Sequence, residues 1–127
     1  MKLRIKGATL RLRLTQGEIR ALQEQGQVEE RVPFAPNVSL IYRLRKTAAA
    51  RQIAASYSGN VVQIEVPAAT ADAWCASQQV TLAHVQSVGS DALSITLEKD
   101  FACLAPRAGE DESDNFPHPE AQGDKNC

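Results

Sequence analysis

The residues best equipped for chemistry lie near the carboxyl end of the chain, where thiols, carboxylates and an imidazole follow one another. Thiolate and imidazole groups bind zinc, and carboxylates can complete such a site. One hypothesis is therefore a zinc-binding protein whose site is drawn from Cys103, Asp111, Glu112, Asp114, His118 and Cys127. Their spacing matches no recognised zinc finger or knuckle. A buried thiol at Cys103 is the favoured interpretation, and a Cys103–Cys127 disulfide under oxidising conditions is a further alternative.

A second set of chemically useful residues is cationic. Several segments alternate apolar residues with Lys or Arg, which is typical of strands with one dry face and one wet face. The cations on the predicted outward faces are Lys2, Arg4, Lys6, Arg11, Arg13, Arg43 and Arg45. They predict a surface that binds a protein partner or a small ligand, or one on which the chain's own acidic tail docks by charge-assisted hydrogen bonds.

Nucleic-acid binding and catalysis receive little support from the residues. The cations are not interleaved with aromatic rings for base stacking, and the isoelectric point is near 6.1. His84 and His118 have no neighbouring Ser or Cys pattern of a nucleophile, and no glycine-rich phosphate loop is present. We therefore expect a protein that is not an enzyme and does not bind nucleic acid.

Composition sets the class of protein. The chain has 127 residues, of which 43% are hydrophobic, enough for one domain with its own core. Residues 1–58 carry a charge of +7 and residues 59–127 carry −8, an asymmetry that is also compatible with self-association into a homodimer. No apolar stretch is long enough for a membrane span or a secretory signal, and three cysteines are too few for a disulfide framework. We expect a cytoplasmic protein without a membrane partner.

The elements that would position these residues recur at a spacing of fifty-two positions. Gly7 matches Gly59, Thr15 matches Pro67, and the Gln-Val pair at 27–28 matches that at 79–80. Each repeat reads strand, strand, helix, strand, strand. This pattern predicts an α+β fold, mostly antiparallel sheet with two short helices, made of two halves related by a pseudo-two-fold axis.

Local signals place the elements and the domain limits. A capping box at Thr15 and Glu18 begins a helix over 16–25, and a second helix follows Pro67 with Ala71, Trp74 and Cys75 on its inner face. Pro33 and Pro36 predict that the strand after the first helix is an edge or bulged strand. We expect one domain over 1–119, with halves at 1–46 and 52–99, a docked acidic tail at 100–119 and a flexible end at 120–127.

The two ends of the chain carry a resemblance. The opening LRIKGATLRLRLTQGE and the closing EKDFACLAPRAGEDESDNFPHP resemble the ends of a family of small bacterial proteins that has no established function. The resemblance spans most of the chain. It implies a free-standing bacterial protein of the cytoplasm whose tail belongs to the domain, and it implies no catalytic residue.

Overall fold

The computed structural model describes residues 1–101 and 113–117. Within them the chain forms eight strands and two helices in the order that the repeat predicts. The elements are β1 Lys2–Ile5, β2 Thr9–Leu14, α1 Gln16–Gln25, β3 Gln27–Ala35, β4 Val38–Thr47, β5 Ala54–Ser58, β6 Val61–Pro67, α2 Ala68–Ala76, β7 Thr81–Val88 and β8 Asp91–Lys99. Neither helix is long and apolar enough to cross a membrane, among the residues described.

The first helix forms where its sequence signals lie. Thr15 and Glu18 make a reciprocal capping box, and Gly26 ends the helix in the left-handed region at φ 87°. That conformation favours glycine, because a Cβ there approaches the following carbonyl oxygen. Ile19 and Leu22 are buried on one face of the helix. Local sequence therefore determines both the length of α1 and the face that it packs.

The strands form two four-stranded sheets, sheet A in the order β1-β2-β8-β7 and sheet B in the order β3-β4-β6-β5. In each sheet the two central strands are parallel and the outer pairs are antiparallel. Each half of the chain thus contributes one hairpin to each sheet. The predicted α+β class with mostly antiparallel pairing is confirmed, and the two halves are interlocked because neither contains a complete sheet.

Equivalent contacts in the two halves support the internal repeat. Lys46 Nζ donates a hydrogen bond to the carbonyl oxygen of Gln23 at the end of α1, at 2.9 Å. Lys99 Nζ donates in the same way to the carbonyl oxygen of Ser77 at the end of α2, at 2.7 Å. A lysine at the end of the last strand of each half therefore binds the negative end of a helix dipole.

The offset between the halves is not constant along the chain. It is fifty-two positions at the start of β2 and β6 and of α1 and α2. Val28 of β3 pairs with Leu44 of β4, and the equivalent pair in the second half is Leu82 of β7 with Leu97 of β8. The offset is therefore 54 for the third strand of each half and 53 for the fourth. The helix α2 is one residue shorter than α1, and the connection that follows it is three residues longer. The Gln-Val pairs at 27–28 and 79–80 therefore match in sequence but occupy different positions in the fold.

Both sheets and both helices contribute to one apolar core. Its buried members are Leu12, Leu14, Ile19, Leu22, Val28, Leu44, Ile53, Ile64, Val66, Ala71, Trp74, Leu82, Ile95 and Leu97. The helices connect the two sheets at one end of the molecule, and all four hairpin turns lie at the other end, as the strand directions require. We call these the helix end and the turn end. The strand β3 is an edge strand with a bulge between Pro33 and Ala35, as its prolines predicted.

Candidate functional site

Five of the predicted cations share the outer face of sheet A. In β2, Leu12 and Leu14 are buried, so Arg11 and Arg13, which alternate with them along the strand, point away from the core. The antiparallel register places Arg4 of β1 beside Arg11, and Lys2 beside Arg13. Cross-strand neighbours lie on the same face of a sheet. Lys6 follows Arg4 at a spacing of two residues and completes this group, which we call the cationic face.

Acidic residues neutralise the cationic face at its helix end. Arg13 Nε lies 2.6 Å from Glu98 Oε1 on β8 and donates a hydrogen bond to it. Arg11 Nε is 3.8 Å from the same oxygen, a weaker contact. Lys2 Nζ lies 3.3 Å from the buried Asp100 Oδ2, which has no hydrogen-bond partner among the described residues. This last contact is therefore an ion pair without hydrogen-bond geometry.

The turn end of the same face keeps its positive charge. Within residues 1–101 and 113–117, neither Arg4 nor Lys6 has an acidic partner. Both side chains are exposed. Because Arg11 is only weakly paired with Glu98, three adjacent cations there lack full compensation. A positive potential is therefore concentrated beside the turn that joins β1 to β2.

A shallow depression of about 200 Å³ lies at this place. It is lined by Arg4, Lys6, Thr9, Leu10, Arg11, Ser94 and Thr96. The parallel pairing of β2 with β8 sets Thr9 beside Ser94, and Arg11 beside Thr96. Thr9 Oγ1 donates a hydrogen bond to the Lys6 carbonyl oxygen at 2.5 Å, which fixes the turn. The depression thus combines cations with hydroxyl groups on hydrogen-bonded strands, an arrangement that can bind an anion.

Arg43 and Arg45 lie on sheet B, apart from the other five predicted cations. Arg43 Nη2 is 2.6 Å from Glu29 Oε1, and its Nη1 donates to Gln63 Oε1 at 2.8 Å. Arg45 is exposed, and its register partner on β6 is Glu65. The predicted binding face is therefore divided between two sheets, and its sheet B part carries neighbouring acids.

Five of the six predicted metal ligands lie outside the described residues, namely Cys103, Asp111, Glu112, His118 and Cys127. Among the residues that are described, no three His, Cys, Asp or Glu side chains form a group that could hold a metal ion.

Asp114, the remaining predicted ligand, binds the amino end of α1. Its two carboxylate oxygens each accept from the Gly17 N–H at 3.2 Å, and its carbonyl oxygen accepts from the Gln16 N–H at 3.0 Å. The Glu18 N–H donates to Thr15 Oγ1, and the Thr15 N–H donates to Glu18 Oε1 at 2.9 Å. All four amide groups that a helix start leaves unpaired are therefore satisfied. The negative charge of Asp114 is also favourable at the positive end of the helix dipole.

A buried cluster surrounds Lys99 at the helix end. Its Nζ lies 5.8 Å from the centre of the Trp74 ring and 5.7 Å from that of Phe116, within cation–π range. Burial lowers the pKa of Lys99, and the nearby Cys75 acts in the opposite direction. Burial also raises the pKa of the Cys75 thiol, with a smaller contribution from Asp72. A thiol with a raised pKa is a poor nucleophile at neutral pH, so this cluster has the character of packing.

A second polar cluster joins β1 to sheet B. The amino group of Met1 pairs with Glu18 and with Glu30, the latter at 3.2 Å, and the Tyr42 hydroxyl donates to the Met1 carbonyl oxygen at 2.9 Å. Burial raises the pKa of Tyr42, and the charges of Glu30 and Glu18 add to the effect. Since each of these groups has a partner, the cluster is a structural contact between the two sheets.

The cations of the depression were predictable from the sequence, but its hydroxyl groups were not predicted. Ser94 and Thr96 belong to β8, more than eighty positions from β2, and only sheet pairing brings them beside Thr9 and Arg11. A signal was present, because both residues alternate with buried Leu and Ile and must therefore face outward.

The chain matches a known sequence family. The sequence model of DUF7009, a family of unknown function, matches residues 1–120. No curated protein and no solved structure matches the chain.

Proposed function

We propose that this chain, which belongs to the DUF7009 family, is a non-enzymatic binding domain of the bacterial cytoplasm that recognises an anionic ligand or partner. The binding surface is the turn end of the cationic face. The observation that carries the proposal is the composition of the depression. There Arg4 and Lys6, which have no acidic partner among the described residues, lie beside Arg11 and the hydroxyl groups of Ser94 and Thr96.

The energetics favour an anion over a neutral ligand at this place. A hydrogen bond from a cationic side chain contributes about 1.5–3 kcal/mol, roughly twice the contribution of a neutral one. Apart from Lys6, which directly follows β1, the donors are carried by β1, β2 and β8, and each of these strands is hydrogen-bonded to the next in that order. Little backbone ordering is then needed on binding, so less of the interaction energy is lost to entropy.

The chemistry of the lining residues supports binding rather than catalysis. The described residues that line the depression carry guanidinium, ammonium, hydroxyl and aliphatic groups. Among them is no carboxylate, imidazole or thiol, the side chains that most often act as general bases. They supply charge and hydrogen-bond donors, which are the requirements for holding an anion.

The test compares two double variants of equal charge on immobilised heparin, a sulfated polyanion. Arg4→Gln/Lys6→Gln removes two cations from the depression. Arg20→Gln/Arg51→Gln removes two exposed cations from the helix end and is the matched control. We expect the wild-type protein and the control to be retained equally, and Arg4→Gln/Lys6→Gln to elute at clearly lower salt. Equal elution of the two variants, with both correctly folded by circular dichroism, would refute the proposal.

A further inference from the structure

We infer that the depression binds a single phosphate monoester group, carried at the end of a small molecule, rather than a stretch of a polyanionic chain. This inference rests on the proposed function, and it names the chemical class of the ligand. Three features of the depression carry it: the extent of its free charge, its donor set and its size.

The free charge is confined to one small area. Arg4 lies opposite Arg11 on the neighbouring strand, at a strand spacing of about 5 Å, and Lys6 follows Arg4 by two residues, about 7 Å farther along the chain. All three line the same depression, so their long side chains can reach one anionic group together. Farther along the same face, Asp100 and Glu98 already neutralise the cations. A nucleic-acid duplex presents one negative charge about every 1.7 Å and requires an extended line of free cations. The cationic face offers no such line in its described part.

The donor set matches a dianion with several acceptor oxygens. A phosphate monoester carries a charge of about −1.5 to −2 and three terminal oxygens at neutral pH. A phosphate diester has a single negative charge and fewer free oxygens. Three cations together with the hydroxyl groups of Ser94 and Thr96 can address all the oxygens of a monoester. The Thr9 hydroxyl donates to the Lys6 carbonyl oxygen, so it is not counted among the donors.

The size of the depression limits what enters it. Pockets that enclose a whole small-molecule ligand have volumes of roughly 300–1,000 Å³. The depression measures about 200 Å³ and opens on a sheet face, so it holds one group while the rest of the ligand stays outside. The described lining residues include no aromatic ring, so a nucleobase finds no stacking partner there.

The inference is tested with three probes that separate a monoester from a diester and from a polyanion. The probes are methyl phosphate, dimethyl phosphate and a single-stranded oligothymidylate without a terminal phosphate. Each is titrated at low ionic strength into the full isotope-labelled chain, and amide shifts are followed by NMR. We expect methyl phosphate to move the amides of Thr9 and Ser94 saturably, and dimethyl phosphate to bind about tenfold more weakly or worse.

The variants and outcomes separate this inference from the proposed function. Arg4→Gln/Lys6→Gln should weaken methyl phosphate binding by about tenfold or more, while the Arg20→Gln/Arg51→Gln control should bind like the wild type. Tighter binding of oligothymidylate than of methyl phosphate would overturn the monoester inference and leave the proposed function standing. If methyl phosphate does not bind but heparin retention still depends on Arg4 and Lys6, the monoester inference is likewise overturned and the proposed function stands. Absence of both effects would overturn the two together.

Discussion

The contact between Gly17 and Asp114 leads to a quantitative prediction, because a methyl group cannot be added at Gly17 without moving the Asp114 carboxylate. A Cβ at position 17 would lie 2.9 Å from Asp114 Oδ2, closer than real Cβ contacts allow. The residue at the equivalent position of α2, fifty-two positions later, is Ala69. We expect Gly17→Ala to displace the Asp114 carboxylate from the Gly17 N–H.

The magnitude follows from two opposing effects on the free energy of unfolding. Alanine is more favourable than glycine within a helix by about 0.8–1 kcal/mol. Loss of a side-chain cap at the helix start costs about 1 kcal/mol, with a range of roughly 0.5–2 kcal/mol. In the wild-type background Gly17→Ala should therefore change the free energy of unfolding by an amount between about 0.5 kcal/mol stabilising and about 1 kcal/mol destabilising. In the Asp114→Ala background, where the cap is already lost, the same change should stabilise by about 0.5–1 kcal/mol.

Urea unfolding of the four proteins of this cycle measures the interaction energy between the two positions. We expect about 1 kcal/mol, above the roughly 0.3–0.5 kcal/mol within which distant substitutions are additive. Ala69→Gly is the matched control, and it should cost about 0.5–1 kcal/mol whether residue 114 is Asp or Ala. If Gly17→Ala stabilises both backgrounds equally, Asp114 does not bind the start of α1, and the account of the tail contact is wrong.

Three further predictions concern single side chains. Glu98→Gln frees Arg13 from its ion pair, so a higher salt concentration should be needed to elute the protein from heparin. Unchanged elution would contradict the charge distribution described for the cationic face. Lys99→Met leaves the Ser77 carbonyl oxygen without its buried donor and should lower the free energy of unfolding in urea by about 1–3 kcal/mol. Lys46→Met removes a more exposed ion pair and should lower it by about 0–1 kcal/mol. Equal losses for the two variants would refute this difference. The folded-state pKa of Cys75 is raised by burial, so its contribution to stability is complete below the unfolded pKa of about 8.5 and is lost as the pH rises through the folded value. The difference in free energy of unfolding between the wild type and Cys75→Ala, measured as a function of pH, should decline above about pH 8.5. A difference that does not change with pH would refute this prediction.

Local interactions made several elements predictable. The start of α1 depends on the side chains of Thr15 and Glu18, three residues apart, and its end depends on the backbone freedom of Gly26. The bulged edge position of β3 follows from Pro33, which has no N–H to donate to a partner strand. Such signals act over a few residues, so the sequence displays them directly.

The candidate site was only partly predictable. Alternation showed that Arg4, Arg11 and Arg43 face outward, but it cannot show which outward faces coincide. Pairing of β2 with β8 and of β4 with β6 places the first two cations on one sheet and the third on another. The position of Asp114 against Gly17 was equally hidden, because the two residues are 97 positions apart.

The sequence by itself determined the elements, their order, the outward faces of the strands that carry the alternating cations, and the presence of two related halves. These depend on spacings of two to four residues and on a repeated pattern. The tertiary structure alone decided that the halves exchange hairpins, that the cations divide between two sheets and that Ser94 and Thr96 join Arg4 and Lys6 in one depression. The reason is physical: strand partners are selected by burial of apolar faces in a shared core, a property of the whole chain rather than of any segment.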